Sequence, residues 1–328
     1  MPIPLDCLCA GIVVADTVCH PIARMPAQGV LIKTDRIEFS IGGCPANVAV
    51  DMARIGLKSG ISGRVGTDVF GREVRNLLNA AGVETSQLET SETTPTSTTF
   101  VLNVAGEDRR FIHCVGANAE YDGMHVTEEA IRAAKMLFVG GFCLMDSLTP
   151  ERTVRLFRCA RDNGVPTALN VVLSESTDTM AWLNPLLPWT DYFFCNNDEA
   201  ERITGQKDSI KQAEALRDLG AKTAIVTQGE RGAVLMGPSD RLRAGVFPVN
   251  AVDATGTGDA FSAGFLYGVL HGKNVAESLK LGAAMGASCV RSMGATTGVF
   301  NETELAEFVL ANQLEIEALE EREPPFCG

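Results

Sequence analysis

Six apolar runs punctuate the chain, and none of them alternates with polar residues. They are CLCAGIVVA (7–15), KSGISGRV (58–65), KMLFVGG (135–141), VPTALNVV (165–172), DYFFCN (191–196) and KTAIVTQG (222–229). A strand that is apolar on both faces belongs inside a sheet covered on both sides. Stretches with helical spacing lie between them: NVAVDMARIG (47–56), FGREVRNLLNAAG (70–82), TPERTVRLFRCARDNG (149–164) and SIKQAEALRDLG (209–220). The last three end at glycine, a common helix stop. This order predicts an α/β fold, a doubly wound and mostly parallel sheet with helices on both faces. Two segments break the rhythm. Residues 25–41 and 96–115 read as β-rich, the second as a hairpin of TSTTFVLNV and RFIHCV about the turn AGEDR. They are expected to form a small β lid, about 16–41 and 96–118, over the carboxyl ends of the sheet. The alternative is an edge extension of the main sheet. No repeat or long linker divides the chain, so 1–328 is expected to be one domain, with an acidic tail at 314–328.

Composition refines this only a little. With 45% apolar and 21% charged residues, the chain reads as an ordinary soluble protein. No run approaches the length of a membrane span. The start, MPIPLDCLCAGIVVADT, already carries Asp6 and Asp16 and lacks a basic leader, so it reads as a buried first strand, not a signal peptide. Ten cysteines without CxxC spacing read as reduced thiols of a cytoplasmic protein. Four histidines, at 20, 113, 125 and 271, show no zinc-binding spacing. Net charge is −13, and residues 301–328 carry eight acids against one arginine. No basic face is implied, which argues against nucleic acid as a partner.

The chemistry concentrates in VDATGTGDAF (252–261). Gly256 and Gly258 flank Thr257, which lets the backbone turn sharply and aim successive N–H groups into one concavity. The helix that follows adds its unpaired N–H groups and its positive dipole end. Asp259 beside it can take a proton from an attacking hydroxyl, which is what a hydroxyl kinase needs. The plain alternative is a helix cap after a tight turn. The stretch lacks the third glycine of a dinucleotide fingerprint, and no Walker A lysine occurs anywhere.

VDATGTGDAFSAGF resembles the second signature of the ribokinase-like (PfkB) family of carbohydrate kinases. IGGCPANVAVDMARIG (41–56) resembles the first signature. CNNDEAERITG (195–205) is similar to the family's N-x-x-E segment and VTQGERGAV (226–234) to its T-x-G-x-x-G turn, and Asp16 follows the first strand as in the family. The resemblance implies a ribokinase-like fold with a lid, and an ATP-dependent sugar kinase. Asp259 is then the catalytic base, and Gly256, Thr257 and Gly258 the anion hole. Asp16, Gly42, Gly43, Asn47, Arg110 and Asn118 are implied at the sugar. Asn196 and Glu199 are implied to order magnesium through waters, and Thr227, Gly229 and Gly232 to line the nucleotide site. Asp253, with RSMGATTG (291–298), resembles a monovalent-cation site, which suits potassium. A homodimer through the lid is also implied.

The substrate stays open at this level. Cys44 stands where family members acting on sugar phosphates tend to have lysine, which favours a non-phosphorylated sugar such as fructose or ribose. Arg109 and Arg110 instead suit an acidic sugar of the 2-keto-3-deoxygluconate type, since arginine pairs well with carboxylate. A nucleoside or sugar-phosphate kinase, or a non-catalytic regulatory relative, are the alternatives.

Overall fold

The computed structural model describes residues 3–107, 109–174 and 178–320. Fourteen strands are described: β1 Cys7–Gly11, β2 Val14–Ile22, β3 Ile37–Gly42, β4 Ser59–Gly66, β5 Leu88–Ser91, β6 Thr98–Val104, β7 Arg110–Cys114, β8 Leu137–Phe142, β9 Thr167–Val171, β10 Tyr192–Asn196, β11 Thr223–Thr227, β12 Ala233–Met236, β13 Arg241–Ala244 and β14 Ile316–Ala318. The α-helices are α1 Cys44–Arg54, α2 Val69–Ala80, α3 Glu128–Arg132, α4 Pro150–Asp162, α5 Thr179–Leu183, α6 Asn197–Thr204, α7 Ser209–Asp218, α8 Thr257–Leu270, α9 Val275–Cys289 and α10 Glu302–Ala311.

Ten strands form one sheet in the order β14-β13-β12-β11-β10-β9-β8-β1-β4-β5. Every pairing from β5 to β11 is parallel, and the β12, β13 and β14 end is antiparallel. The two-faced apolar runs explain it. Leu8 and Ala10 of β1 enter a core with α4, α6 and α7, while Cys7 and Cys9 enter another with α1, α2 and α8. Phe193 and Phe194 of β10 divide in the same way. From β1 the chain steps outward to β4 and β5, then returns to β8 on the other side of β1. The crevice at such a reversal, beyond the carboxyl ends of the strands, is where doubly wound sheets bind ligands.

The run 7–15 is not one strand. At Gly11 (φ +135°) an added Cβ would lie 2.2 Å from the Gly140 carbonyl oxygen. β1 and β8 approach too closely there for any side chain, and the chain turns out of the sheet into β2. A separate four-stranded sheet follows, ordered β3-β2-β6-β7, and it is not an edge of the large one. Its β6–β7 hairpin pairs Thr98 with Cys114 and Leu102 with Arg110, as the sequence suggested. Within 25–41 only the end from Ile37 is strand; most of the segment is irregular. The last eight residues of the acidic tail lie outside the described residues. No helix among the described residues is long and apolar enough to cross a membrane.

Candidate active site

The site forms where α8 begins. Gly256 caps the helix at φ +76°, and a Cβ there would lie 2.4 Å from the Ala295 carbonyl oxygen, so only glycine fits. The Thr257 hydroxyl closes the turn by donating to Ala254 O at 2.9 Å. At Gly258 a Cβ would meet nothing within 4 Å among the described residues, so the turn opens on free space there. The first N–H groups of α8 have no intrahelical acceptor, and with the helix dipole they make an anion-holding end.

Asp259 is buried in the first turn of α8 and is held by two amides. Asn47 Nδ2, from α1, donates to Oδ2 at 2.8 Å, and Asn170 Nδ2, from β9, donates to Oδ1 at 3.3 Å. The nearby Cys44 thiol also favours its charged form. Burial pushes the carboxyl up to about 6, against the lowering effect of these donors, and the nearby Asp16 charge adds a smaller upward push. A carboxylate so poised can accept a hydroxyl proton near neutral pH. Asn47 Oδ1 is buried without a hydrogen-bond partner among the described residues, an acceptor turned toward no donor.

Asp16 comes from β2. Its carboxyl is pushed up to about 6 by burial, and a hydrogen bond from Thr99 works the other way. Gly42 lies under it: a Cβ there would stand 2.1 Å from Asp16 Oδ2. Gly43 adopts φ +92° to start α1, with a Cβ position 2.5 Å from Ile12 O. Both glycines of the pair thus admit a close approach of backbone or carboxylate.

Asn196 ends β10 and pairs in register with Thr227 at the end of β11. Asn196 and Glu199 form a reciprocal capping box on α6, with both bonds at 2.9 Å. Glu199 is nevertheless electrically part of the site. Burial pushes its carboxyl up to about 7, and the charge of Asp259 adds to this. Gly229 (φ +57°) and Gly232 (φ +86°) shape the turn after Thr227, and a Cβ at Gly232 would collide with Ala244 O at 1.9 Å.

Residues 6–319 match the pfkB family carbohydrate kinases. The chain belongs to this family. The kinase is therefore a phosphotransferase with an alcohol group as acceptor. It is 28% identical over 279 residues to a ribokinase of Haemophilus influenzae, covering 83% of this chain and 88% of that one. It is 26% identical over 319 residues to a 5-dehydro-2-deoxygluconokinase of Geobacillus thermodenitrificans, with 93% of each covered. Among solved structures, Arabidopsis thaliana ribokinase complexed with ribose and ATP superposes with a TM-score of 0.80 at 24% identity, over 94% of this chain and 99% of that one. The fold is ribokinase-like.

Two of the residues expected at the sugar, Arg110 and Asn118, have their side chains engaged with other parts of the kinase. Arg110 pairs with Leu102, Leu102 with Cys19 and Cys19 with Ile37, whereas Asp16 pairs with Thr99 and Thr99 with His113. Side chains alternate along a strand, so Arg110 lies on the face opposite Asp16, where it pairs with Glu107. Asn118 is spent on the backbone of Val13, accepting from its N–H at 3.0 Å and donating to its carbonyl at 3.1 Å. It fixes the crossing from β1 to β2, and so the position of Asp16, from behind.

Sequence reasoning missed three residues, Asn170, Thr99 and His113. Asn170 bonds Asp259 and also accepts from Gly141 N–H at 2.8 Å. Thr99 and His113, bonded to each other at 3.0 Å, continue the row from Asp16. Arg109 reaches the 253–255 loop with the side chain expected at the sugar. Asp253, the expected ligand of a monovalent cation, is already engaged through both oxygens, with Thr255 and Gly294 N–H and the Arg109 guanidinium.

The residues present fit magnesium. Burial desolvates the carboxyls of both Glu199 and Asp259, and the charge of Asp259 pushes Glu199 further up, a repulsion a divalent cation relieves. No cluster of three His, Cys, Asp or Glu forms a metal cage among the described residues.

Proposed function

We propose that this kinase transfers the γ-phosphoryl group of ATP to a primary hydroxyl of a non-phosphorylated sugar, with Asp259 as general base. The observation that carries this reading is the clamped carboxylate of Asp259 beside the Gly256–Gly258 turn. The sugar hydroxyl attacks the γ-phosphorus in line, a new O–P bond forms, and the bond to the β-phosphate oxygen breaks to release ADP. The hydroxyl proton passes to Asp259. The N–H groups of the turn and of the α8 end face the charge on the transferred group. Asp16 and the unpaired Asn47 Oδ1 accept from sugar hydroxyls, and Gly42 and Gly43 let the backbone come close. Thr227, Gly229 and Gly232 line the nucleotide side. Asn196 and Glu199 hold magnesium through waters; when bound, the ion offsets the charge of the nucleotide phosphates.

The half-buried Cys44 thiol at the start of α1 supports a substrate without phosphate, because no cation is offered there. The position of Arg110 away from Asp16 supports the same choice. The names of the relatives, a ribokinase and a deoxygluconate kinase, keep pentoses and ketosugar acids in range.

The small sheet acts as a lid, and its outer face makes a homodimer. From Phe39, which stacks on Phe70 of α2, one cross-strand row runs through Thr17 to Phe100 and Ile112, with Phe100 53% and Ile112 64% exposed. An apolar row of this kind on a thin sheet calls for cover, and a second copy supplies its own edge and face. Free thiols at all nine cysteines among the described residues support the cytoplasm as its compartment.

A coupled ADP-release assay tests the reading, using ribose, fructose, 2-keto-3-deoxygluconate, 5-dehydro-2-deoxygluconate, adenosine and fructose 6-phosphate. Turnover on one unphosphorylated sugar, well above the sugar-free background, is expected. Turnover on adenosine or fructose 6-phosphate alone would replace the substrate class, and silence on all six would remove the sugar reading.

A further inference from the structure

Arg109 stands immediately before β7, in the small sheet, yet its side chain ends on the loop that leads into α8. Nη1 lies 3.3 Å from Asp253 Oδ1 and donates to the Thr255 hydroxyl. The same Asp253 oxygen accepts from Thr255 N–H at 3.0 Å and from the Thr255 hydroxyl at 2.7 Å. Its other oxygen accepts from Gly294 N–H at 2.9 Å. One carboxylate thus gathers three separate parts of the chain: the loop itself, the 291–298 segment and the β6–β7 hairpin. The Asp253 side chain is only 4% exposed and the Arg109 side chain 25%, so the pair is largely shielded from water. Arg109 also lies over the Phe111 ring, 5.7 Å from its centroid, which restricts where the guanidinium can point.

The energetics favour a specific contact over a chance one. A guanidinium and a carboxylate withdrawn from water hold each other more strongly than the same pair on the surface. A long side chain placed across a crevice loses rotamer freedom, which such a bond offsets. The loop that is held continues through Gly256 into the helix end that carries Asp259. The shape of that turn decides where its N–H groups point.

We propose that Arg109 is a positioning residue that latches the β6–β7 hairpin to the 253–255 loop, so that closing the small sheet over the sugar and shaping the phosphate-holding turn are one event. This rests on the sugar-kinase reading for its catalytic consequence. The contact itself does not. With the hairpin docked, the turn is set and water is kept from the phosphoryl group; with the hairpin away, Asp253 loses its cationic partner and the turn relaxes.

The test uses the full chain as wild type, Arg109→Ala and Arg109→Lys. Hydrogen exchange is followed without ligand over residues 109–114 and 253–257. In Arg109→Ala both segments are expected to exchange faster together, by about tenfold, while the large sheet is unchanged. With the sugar found active, kcat is expected to fall about 10–100-fold and KM for ATP to change less than about threefold. The ratio of sugar-free ATP hydrolysis to transfer is expected to rise. Arg109→Lys keeps the charge without the planar fork and is expected to recover part of kcat. Loosening of the hairpin alone, with 253–257 unchanged, overturns the latch, and so does a wild-type kcat in Arg109→Ala. If wild type turns over no sugar, the kinase reading fails, and the exchange comparison still decides the latch.

Discussion

Asp259 sits in a balance between burial, which favours its protonated form, and amide donors, which favour the charged form. A base must be ionised to work. With its carboxyl pushed up to about 6, activity is expected to fall as pH drops through about 6 and to level off above it. Asn170→Ala removes one donor that lowers this value, so the acid limb should move to higher pH, which a kcat/KM profile from pH 5 to 8 measures. Asp51 is a different case. It is wholly buried one turn after Asn47, and neither carboxylate oxygen has a hydrogen-bond partner among the described residues. Burial first, and then the charge of Asp259, raise its carboxyl well above the usual range. A raised value in the folded state gives stability that is full below the unfolded value of about 4 and is lost as pH rises. Asp51→Asn cannot ionise, so it should melt higher than wild type by at least roughly 3 °C at pH 8, with the gap narrowing toward pH 5. A gap that is absent or reversed would mean that Asp51 is charged and paired in the fold. At this scale the sequence was readable where residues adjoin glycines in one stretch, as with Gly43 and Asn47 or Gly256 and Asp259. Asn170, and the loop that Arg109 meets, were not, because these contacts span 89 and 144 residues and no local spacing marks them.

Elements were legible where one face differs from the other. The helices α2, α4 and α7 keep polar exposed faces and end at Gly82, Gly164 and Gly220, all with positive φ. By contrast, α9 (VAESLKLGAAMGASC) is rich in small residues and buried on several sides, so its helical period is weak. The reason is its contact with α8. A Cβ at Gly264 would lie 2.6 Å from Leu281 O, and one at Gly282 would lie 2.9 Å from Phe261 O. Glycines on both helices bring the backbones together, and this pair anchors the end that bears Asp259. The split of the first apolar run was hidden for a related reason, since the crowding at Gly11 comes from β8, far along the chain. The turn before α8 has the same intolerance. Gly256→Ala meets both a positive φ and the Ala295 carbonyl, so a loss of roughly 1–3 kcal/mol is expected in denaturant unfolding, with kcat reduced. Unchanged stability would show that the turn yields easily.

The whole molecule explains why residues so distant meet. The large sheet reverses its strand order beside β1, and Asn170, Asn196 and Thr227 all lie at the carboxyl ends of its parallel strands. The small sheet then brings Asp16 and Arg109 over that edge. Its outer row leads to a prediction about assembly: Phe100→Glu with Ile112→Glu should convert a dimer to a folded monomer in sedimentation. A wild-type chain that sediments as a monomer would contradict the interface. In the proposed mechanism Asp259 takes the proton of the sugar hydroxyl. The most direct measurement is kcat of Asp259→Asn on the sugar found active, beside its melting temperature and ATP binding. A fall of about 10²–10⁴-fold in kcat is expected, with folding and ATP binding retained. A kcat within about tenfold of wild type would contradict it.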